Sequence, residues 1–419
     1  MRRQNLWIAM LAVTAMLGTS AVQADFIDDS NVQLKFKNFY LDREFNQDTP
    51  GTYNKGHGNW TQAITLDAKS GYHDIGGVQV GADLLAQYAV SLNGGNGNDI
   101  HMPFDAEKGK PERDNAKLGV TLKAKIGQTE LKVGDLVPMS PVVFFDPSRQ
   151  LLTTYNGAWL ESKDIKDTKL TLAYIDGINA RNDNQYQDLG LLFAPTKTTK
   201  DGMYVAGVDH QFTPSIGASY WYSNLTDIYQ QHYVGANYKT TLADETKLDL
   251  HARYFDTTDS GDKLVGDLDH NAVSLGAKIN RGMHTVQLGY QQMFGDFNNI
   301  PMFPTLVGFA PQPYFDNWSV ATFTSKDERS WSVGYTYNFA DAGVKGLTTT
   351  LRHFRGDNID RGLGQAEGKE NETNIIVNYV VPEGKLKGLG FNYMFIDTNY
   401  NYKNDLEEHR IATTYTYKF

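Results

Sequence analysis

The amino-acid sequence predicts an all-β fold, a transmembrane antiparallel β-barrel of about eighteen strands with short periplasmic turns and long outer loops. Three observations support this prediction. Polar and apolar residues alternate along most of the chain, the alternating segments are long, and the connections between them are long and short in turn. Helical periodicity is almost absent after residue 24, which leaves a soluble β-sandwich as the competing architecture.

The first 24 residues predict a cleavable secretory signal peptide rather than a part of the fold. Arg2 and Arg3 give the positive start, residues 6–18 form an apolar segment, and Val22 and Ala24 are the small residues before the cleavage position. The apolar segment is too short to favour a membrane anchor. Residues 25–419 are expected to form one exported barrel domain. Removing two arginines from the totals of 39 basic and 49 acidic residues leaves a net charge of −12.

The alternation has a period of two residues, which gives each predicted strand one apolar face and one polar face. It is clearest in residues 117–126, 331–339, 389–396 and 410–419. Soluble strands usually have about 5–6 residues, whereas tilted strands that cross a membrane need about 9–11. The segments in this chain match the membrane length, so the barrel is favoured over the sandwich.

The lengths of the connections favour the barrel more firmly, because long outer loops with short periplasmic turns are typical of outer-membrane barrels. Long loops are predicted at residues 45–58, 93–115, 137–154, 177–202, 257–269, 296–329, 356–370 and 398–405. One member of this series, near residues 224–227, is short. Tight turns are predicted at residues 74–77, 127–128, 213–215, 280–282 and 382–385. An even number of strands places both termini on the periplasmic side.

The aromatic residues and the hydropathy fit a location in the bacterial outer membrane, in contact with its lipid and lipopolysaccharide. Mean hydropathy is −0.46, which excludes a polytopic helical membrane protein, whereas a barrel shows only every second residue to lipid. The chain ends at Phe419, and a C-terminal aromatic resembles the signal read by the bacterial barrel-assembly machinery. Interfacial girdles are expected from Tyr40, Trp60, Tyr88, Tyr222, Tyr254, Tyr290, Trp331 and Tyr337.

Two blocks of the sequence resemble a known family. The first comprises residues 25–30, DFIDDS, and residues 37–43, KNFYLDR. The second comprises residues 133–143, VGDLVPMSPVV, and continues through residues 146–159, DPSRQLLTTYNGAW. Both blocks are similar to the OprD-like family of substrate-specific outer-membrane porins.

The resemblance implies a barrel of about eighteen strands whose third outer loop folds inward to narrow the channel. It also implies a ladder of arginines and lysines that guides small carboxylate-bearing solutes, such as amino acids, small peptides, or aromatic and cyclic acids. Fixed cations in a narrow pore attract anions, and passage requires weak, repeated sites. Related porins are monomers or loose trimers, and both states stay open.

The alternation nominates residues for this ladder. If the more apolar face of each strand meets lipid, the lumen receives Lys35, Lys37, Lys123, Lys125, Arg253, Lys278, Arg352 and Arg410. Of these, Lys35, Lys37 and Lys125 lie near predicted periplasmic strand ends and are less favoured. The alternative for each residue is a solvated charge at the barrel rim, and a register error of one residue would reverse a strand's faces.

The second block supplies candidates for the constriction loop. Arg149 is expected to join the ladder from this loop, and Asp146 is expected either to fix the loop or to face the ladder. A plain salt bridge within the loop is the alternative for Asp146. Ser140 and Tyr155 are candidates for lining the passage, as is Phe145.

Two other functions compete with a selective channel. A general diffusion porin would have about sixteen strands and a wider opening. A barrel hydrolase would need serine, histidine and an acid or amide, but no Gly-x-Ser-x-Gly motif is present. We therefore expect no enzyme activity.

No cofactor, metal or nucleic acid is expected. The chain has no cysteine for a zinc site or a thiol nucleophile, and the acidic loop over residues 256–262 lacks the spacing of an EF-hand. No glycine-rich segment continues into the helix of a phosphate-binding loop. The net negative charge argues against nucleic acid.

Overall fold

The computed structural model describes residues 29–46, 56–93, 100–105, 107–297, 300–307 and 312–419. The predicted signal peptide and residues 25–28 of the first family-like block lie outside the described residues. Within the described part, no helix combines the length and the apolar character needed to cross a membrane.

The described residues form 23 strands. In chain order they are β1 (Asn31–Phe45), β2 (Gly56–Lys69), β3 (His73–Ile75), β4 (Val78–Ser91), β5 (Phe104–Asp105), β6 (Lys110–Pro111), β7 (Asp114–Ile126), β8 (Thr129–Leu136), β9 (Thr154–Ser162), β10 (Thr168–Asn179), β11 (Leu189–Leu191), β12 (Ala194–Thr199), β13 (Met203–Thr213), β14 (Ile216–Leu225), β15 (Tyr229–Thr241), β16 (Lys247–Asp259), β17 (Asp269–Arg281), β18 (His284–Gly295), β19 (Arg329–Asn338), β20 (Leu347–Ile359), β21 (Gly368–Val380), β22 (Gly390–Tyr400) and β23 (Leu406–Lys418).

Eighteen of these strands close into one antiparallel barrel, which confirms the predicted fold class. Neighbours in the wall are neighbours in the sequence, and β1 pairs with β23 from Gln33 opposite Lys418 to Phe45 opposite Leu406. The short strand β3 continues β2 along β4, while β5–β6 and β11–β12 are hairpins within loops. A barrel closed in this way leaves no free sheet edge in the membrane.

Long and short connections lie at opposite ends of the barrel, as the sequence predicts. At the loop end, the described connections include the third loop (residues 137–153), the fourth loop (residues 180–202) and the seventh loop (residues 296–328). At the turn end, connections such as residues 127–128 and 214–215 contain two residues each. The predicted short member of the loop series is residues 226–228.

The two faces of the wall follow the predicted alternation. On β7, Leu118 and Leu122 point outward with 56% and 47% of their surface exposed, while Lys117 and Lys123 point inward and are buried. Trp60, Tyr88 and Trp331 also point outward, each 45% exposed. An outward apolar side chain meets lipid, and an inward polar one meets the lumen or the loops inside it.

A hydrophobic core fills one side of the lumen. Three loops pack against inward residues of β9, β10 and β13–β18. They contribute Val142 and Val143 of the third loop, Leu189 and Leu191 of the fourth-loop hairpin, and aromatic residues of the seventh loop. Phe303 and Phe315 of the seventh loop stack edge-on with Phe255 of β16. The open space is therefore displaced towards the opposite wall, which contains β1 and β20–β23.

Candidate functional site

The central feature of the lumen is a cavity of about 320 Å³ between the inward loops and the wall. Five arginines reach it: three from the wall, one from the third loop and one from the fourth loop. They are Arg43, Arg149, Arg181, Arg352 and Arg410. Three of these, Arg149, Arg352 and Arg410, are among the residues nominated from the sequence, and the fold brings them to one place.

Arg43 and Arg410 lie on the seam where β1 meets β23. Arg410 is opposite Leu41 in the register, so it stands close to Arg43, which is two residues further along the inward face. The carboxylate of Glu408, fully buried, accepts a bond from Arg43 at 2.5 Å and another from Arg410. One carboxylate therefore orients two guanidinium groups and balances only one of their charges.

Arg149 belongs to the third loop and is held by its backbone. The ammonium group of Lys37 donates to the carbonyl of Arg149, and the amide of Gln150 donates to the carbonyl of Lys37 at 3.0 Å. Burial lowers the pKa of the Arg149 guanidinium, and the positive charges of Arg410 and Arg181 lower it further. A bound anion would relieve this repulsion.

Asp146 anchors the third loop to the fourth loop. Its side chain is 1% exposed, forms an ion pair with Arg181, and accepts the backbone N–H of Ser148 at 2.7 Å. Burial by itself raises the pKa of Asp146, but the Arg181 charge and the Ser148 bonds outweigh this effect, so the pKa lies below its usual range. Asp146 therefore links the third loop to the fourth loop through its ion pair with Arg181.

Ser140 and Tyr155 lie inside the loop packing, away from the cavity wall. The hydroxyl of Ser140 donates to the carbonyl of Val143 at 2.8 Å and accepts its N–H at 3.0 Å. The hydroxyl of Tyr155 donates to the carbonyl of Phe144 at 2.7 Å. Both side chains are buried, so the expectation that they line the passage does not match their positions.

The arginines face an apolar side of the same cavity. Arg352 projects inward from β20, and its guanidinium lies 4.7 Å from the ring centroid of Phe354. Hydrophobic side chains reach the cavity from the fourth loop, the seventh loop and β22: Leu192, Phe193, Trp318, Val320 and Met394. The cavity thus combines a cationic surface with a surface that suits an apolar body.

The remaining nominated cations lie outside this cavity. Lys123 pairs with Asp83 at 2.7 Å and donates to the carbonyl of Ser70 at 2.8 Å, close to the turn end. Arg253 donates to the carbonyl of Tyr314 at 2.7 Å and so holds the seventh loop.

Three further nominated lysines lie elsewhere on the wall. Lys278 is opposite Asp249 near the turn end, where both residues line a second cavity. Lys35 pairs with Asp67 at 2.7 Å, and Lys125 lies 5.9 Å from the ring centroid of Tyr72.

The sequence reasoning missed Arg43 and Arg181. Arg43 has an odd residue number, as Lys35 and Lys37 do, so all three lie on the same face of β1. The alternation therefore already indicated that Arg43 points into the lumen. Arg181 lies in a loop where no periodicity applies, and only its ion pair with Asp146 across 35 residues reveals its place.

One group of polar side chains has the residue types of a hydrolase but not the arrangement. Asp316 of the seventh loop accepts the hydroxyl of Ser274 at 2.7 Å and lies 2.8 Å from Nε2 of His251. In a serine hydrolase the histidine stands between the serine and the acid. Here the carboxylate stands between the other two and ties the loop to the wall.

A closed barrel of eighteen strands, narrowed by inward loops around a cationic cavity, defines the chain as a porin with a restricted channel. The sequence profile of a family described as outer membrane porin, OprD family, matches residues 24–419. The chain belongs to this family, whose members are channels of the bacterial outer membrane and not enzymes.

Similarity to individual proteins supports this assignment to the family. The chain is 30% identical over 420 residues to the porin-like protein GalP of Pseudomonas putida, covering 97% of each chain. Its structure is similar to a crystal structure of Pseudomonas aeruginosa OpdK with vanillate, with a TM-score of 0.87 and 27% identity over 94% of this chain and all of the other. A BenF-like porin from Pseudomonas fluorescens Pf-5 gives a TM-score of 0.88 and 28% identity, again over 94% of this chain and all of the other.

Proposed function

We propose that this porin is a selective channel for the passive uptake of small solutes that carry a carboxylate. The observation that supports the proposal is the composition of the cavity. Five arginines line it, and no aspartate or glutamate is among its described lining residues. A site of this kind attracts anions from the loop end and disfavours cations of the same size.

The charge balance leaves room for a bound anion. Glu408 forms ion pairs with Arg43 and Arg410, and Asp146 forms an ion pair with Arg181. Within the described part of the chain, neither Arg149 nor Arg352 takes part in an ion pair. A carboxylate can accept paired bonds from a guanidinium in fixed geometry, so a solute carboxylate is a suitable partner for these two residues.

The apolar side of the cavity favours an aromatic or cyclic carboxylate over a basic amino acid. Trp318, Phe193 and Met394 offer surface to a ring, whereas a basic amino acid would need an acidic partner for its side chain. OpdK, a structural relative, was crystallised with vanillate, which is an aromatic carboxylate. Small zwitterionic amino acids and peptides remain a second group of candidate solutes.

A path for the solute follows the seam between β1 and β23. Arg43, Arg410 and Lys37 succeed one another along its inward face, and Lys35 lies one step nearer the turn end. Lys35 and Arg43 are eight positions apart on β1, which is about 26 Å of strand, so these groups cover much of the membrane thickness. The solute would pass from one cation to the next, with each site too weak to trap it.

The experiment is single-channel recording in planar bilayers with benzoate and with benzamide, its neutral counterpart of nearly the same shape. We expect benzoate to give saturable blocking events that benzamide does not give. Arg149→Gln and Arg352→Gln are expected to raise the half-saturating benzoate concentration by about tenfold each, the effect of losing one charged hydrogen bond.

The control is Arg281→Gln, which removes an exposed arginine paired with Asp244 outside the cavity. Equal permeability to benzoate, benzamide and a neutral sugar of similar size would instead identify a general diffusion porin. Unchanged benzoate binding in both cavity variants would show that the arginines do not form the solute path.

A further inference from the structure

Lys117 is a buried cation that does not line the arginine cavity. It projects inward from β7 and is 5% exposed. Its charge is not used in an ion pair with any residue of the described chain, although Asp135 and Asp183 lie near enough to act on it through space. A buried ammonium group carries a desolvation cost that hydrogen bonds must offset.

The ammonium group of Lys117 donates to three backbone carbonyls. These are the carbonyl of Leu152 at 2.7 Å and those of Asn179 and Ala180 at 3.0 Å each. Three acceptors use all three donors of the ammonium group. The acceptors come from two different segments, since Leu152 lies near the end of the third loop whereas Asn179 and Ala180 join β10 to the fourth loop.

Both segments carry an arginine of the cavity close to the bonded carbonyl. Leu152 is three residues beyond Arg149, and Ala180 directly precedes Arg181. The same junction is supported from β4, where the side-chain oxygen of Gln87 accepts the N–H of Leu152 at 2.9 Å. Asp146 and Arg181 form the second link between the two loops.

We propose that Lys117 is a positioning residue that sets the distance between Arg149 and Arg181 and thereby the carboxylate selectivity of the channel. It acts through the backbone of the two loops and does not contact the solute. The proposal rests on the proposed function for its effect on transport, but the geometric part, the spacing of the loops, stands independently.

Substitutions of Lys117 by methionine and by arginine distinguish a positioning role from simple filling of space. Lys117→Met keeps the length and volume of the side chain but removes every donor, which leaves buried carbonyls unsatisfied and releases the two loops. Lys117→Arg keeps donors and charge and is expected to restore most of the wild-type behaviour. Lys132→Met is the matched control, because Lys132 is opposite Lys123 on neighbouring β8, and its ammonium group pairs with Glu130, away from both loops.

The first measurement is the half-saturating benzoate concentration in planar bilayers, together with the anion-to-cation permeability ratio. In Lys117→Met we expect a rise in half-saturating concentration of about tenfold and a lower permeability ratio. Lys132→Met should match the wild type in both. Wild-type values in Lys117→Met would overturn the role in selectivity.

The second measurement does not depend on any solute. The chain has no cysteine, so spin labels can be attached through Pro147→Cys and Asn184→Cys, at one exposed position in each loop. Continuous-wave electron paramagnetic resonance, whose dipolar broadening reports the short distances between loops in contact, should give a narrow distance distribution in the wild-type background and a broader or shifted one with Lys117→Met. An unchanged distribution would overturn the positioning role itself. If the labels respond but the wild-type protein shows no benzoate saturation, the proposed function fails while the loop link stands.

Should Lys117→Met not yield a heat-modifiable barrel, Lys117→Gln replaces it in both measurements, since its uncharged amide has two donors for three carbonyls and ends one atom short of the ammonium group. An unaltered half-saturating concentration and an unaltered label distance in that variant would contradict the proposal equally.

Discussion

At the scale of single residues, the arginines of the cavity outnumber the carboxylates that form ion pairs with them. Glu408 shows this most directly, since one fully buried side chain contacts both Arg43 and Arg410. Asp146 plays the corresponding part for Arg181. The acidic residues orient guanidinium groups without neutralising the set, so the surplus charge stays available to a solute.

Glu408→Gln tests this arrangement. The amide keeps the shape of the side chain but removes its charge, so we expect the anion-to-cation permeability ratio to rise, measured from reversal potentials in a salt gradient. The free energy of unfolding should fall by about 3 kcal/mol, the lower end for breaking a buried ion pair, because cavity water solvates the arginines. Glu383→Gln, at an exposed position in the turn between β21 and β22, is the control. A lower permeability ratio would contradict the surplus-charge account.

At the scale of elements, the seventh loop is fixed by backbone bonds to buried glutamates. Glu372 accepts the N–H of Ala321 at 2.7 Å, Glu370 accepts that of Phe323 at 3.1 Å, and Glu328 accepts that of Ser325 at 2.9 Å. The segment held in this way includes Thr322 and Thr324, which line the cavity. The position of one cavity wall therefore depends on how these carboxyl groups are ionised.

Glu328 makes this dependence testable. Burial raises its pKa well above the usual range, and the charge of Glu370 raises it further. A carboxyl group with a raised pKa stabilises the fold in its protonated form, fully below the usual pKa, and the contribution is lost as pH rises through the raised value. We expect gating events in single-channel records to become more frequent as pH increases over that range.

Glu328→Gln mimics the protonated form and should abolish the increase in gating with pH. Glu112→Gln, in an ion pair with Lys108 in the second loop, should leave it intact. Gating that increases on acidification in the wild type would have the wrong sign and would refute the assignment.

The sequence was sufficient to predict the strands of the barrel wall and their two faces. It was insufficient to predict how the loops pack inside the barrel. A strand needs only its own period of two to show its faces, so Lys123, Arg352 and Arg410 could be assigned to the lumen. Arg181 and Lys117 act through partners tens of residues away, and no local pattern encodes those contacts. Ser140 was misplaced for the same reason, since the direction of a loop residue is set by tertiary packing and has no period to read. Tyr155 lies on β9, but the third loop packs over its hydroxyl, a contact that no local pattern encodes.

At the scale of the whole molecule, the barrel closes by pairing its first and last strands. The backbone N–H of Phe419 donates to the carbonyl of Val32 at 3.1 Å, whereas the ring of Phe419 is 75% exposed. The ring is largely outside the packing of the closed barrel, so the predicted role of Phe419 as an assembly signal can be tested separately from barrel closure.

Phe419→Ala is expected to lower the amount of heat-modifiable barrel in the outer membrane of cells. Refolding into liposomes should still reach completion, and the free energy of unfolding should fall only by the lost contact of one ring with lipid, on the order of 2 kcal/mol. Leu363→Ala, at a fully exposed loop position, controls for loss of exposed apolar surface. Equal losses in cells and in liposomes would mean that the ring serves stability rather than assembly.

The hydrophobic core inside the lumen has a consequence for the order in which the core and the arginine cavity form during folding. The strands that support this core, β9, β10 and β13–β18, are consecutive in the wall, so the core can form on an open sheet. Arg43 and Glu408, by contrast, are 365 positions apart and meet only when the two ends of the sheet join. The half of the protein that blocks the lumen can mature early, and discrimination between solutes arises with the final closure.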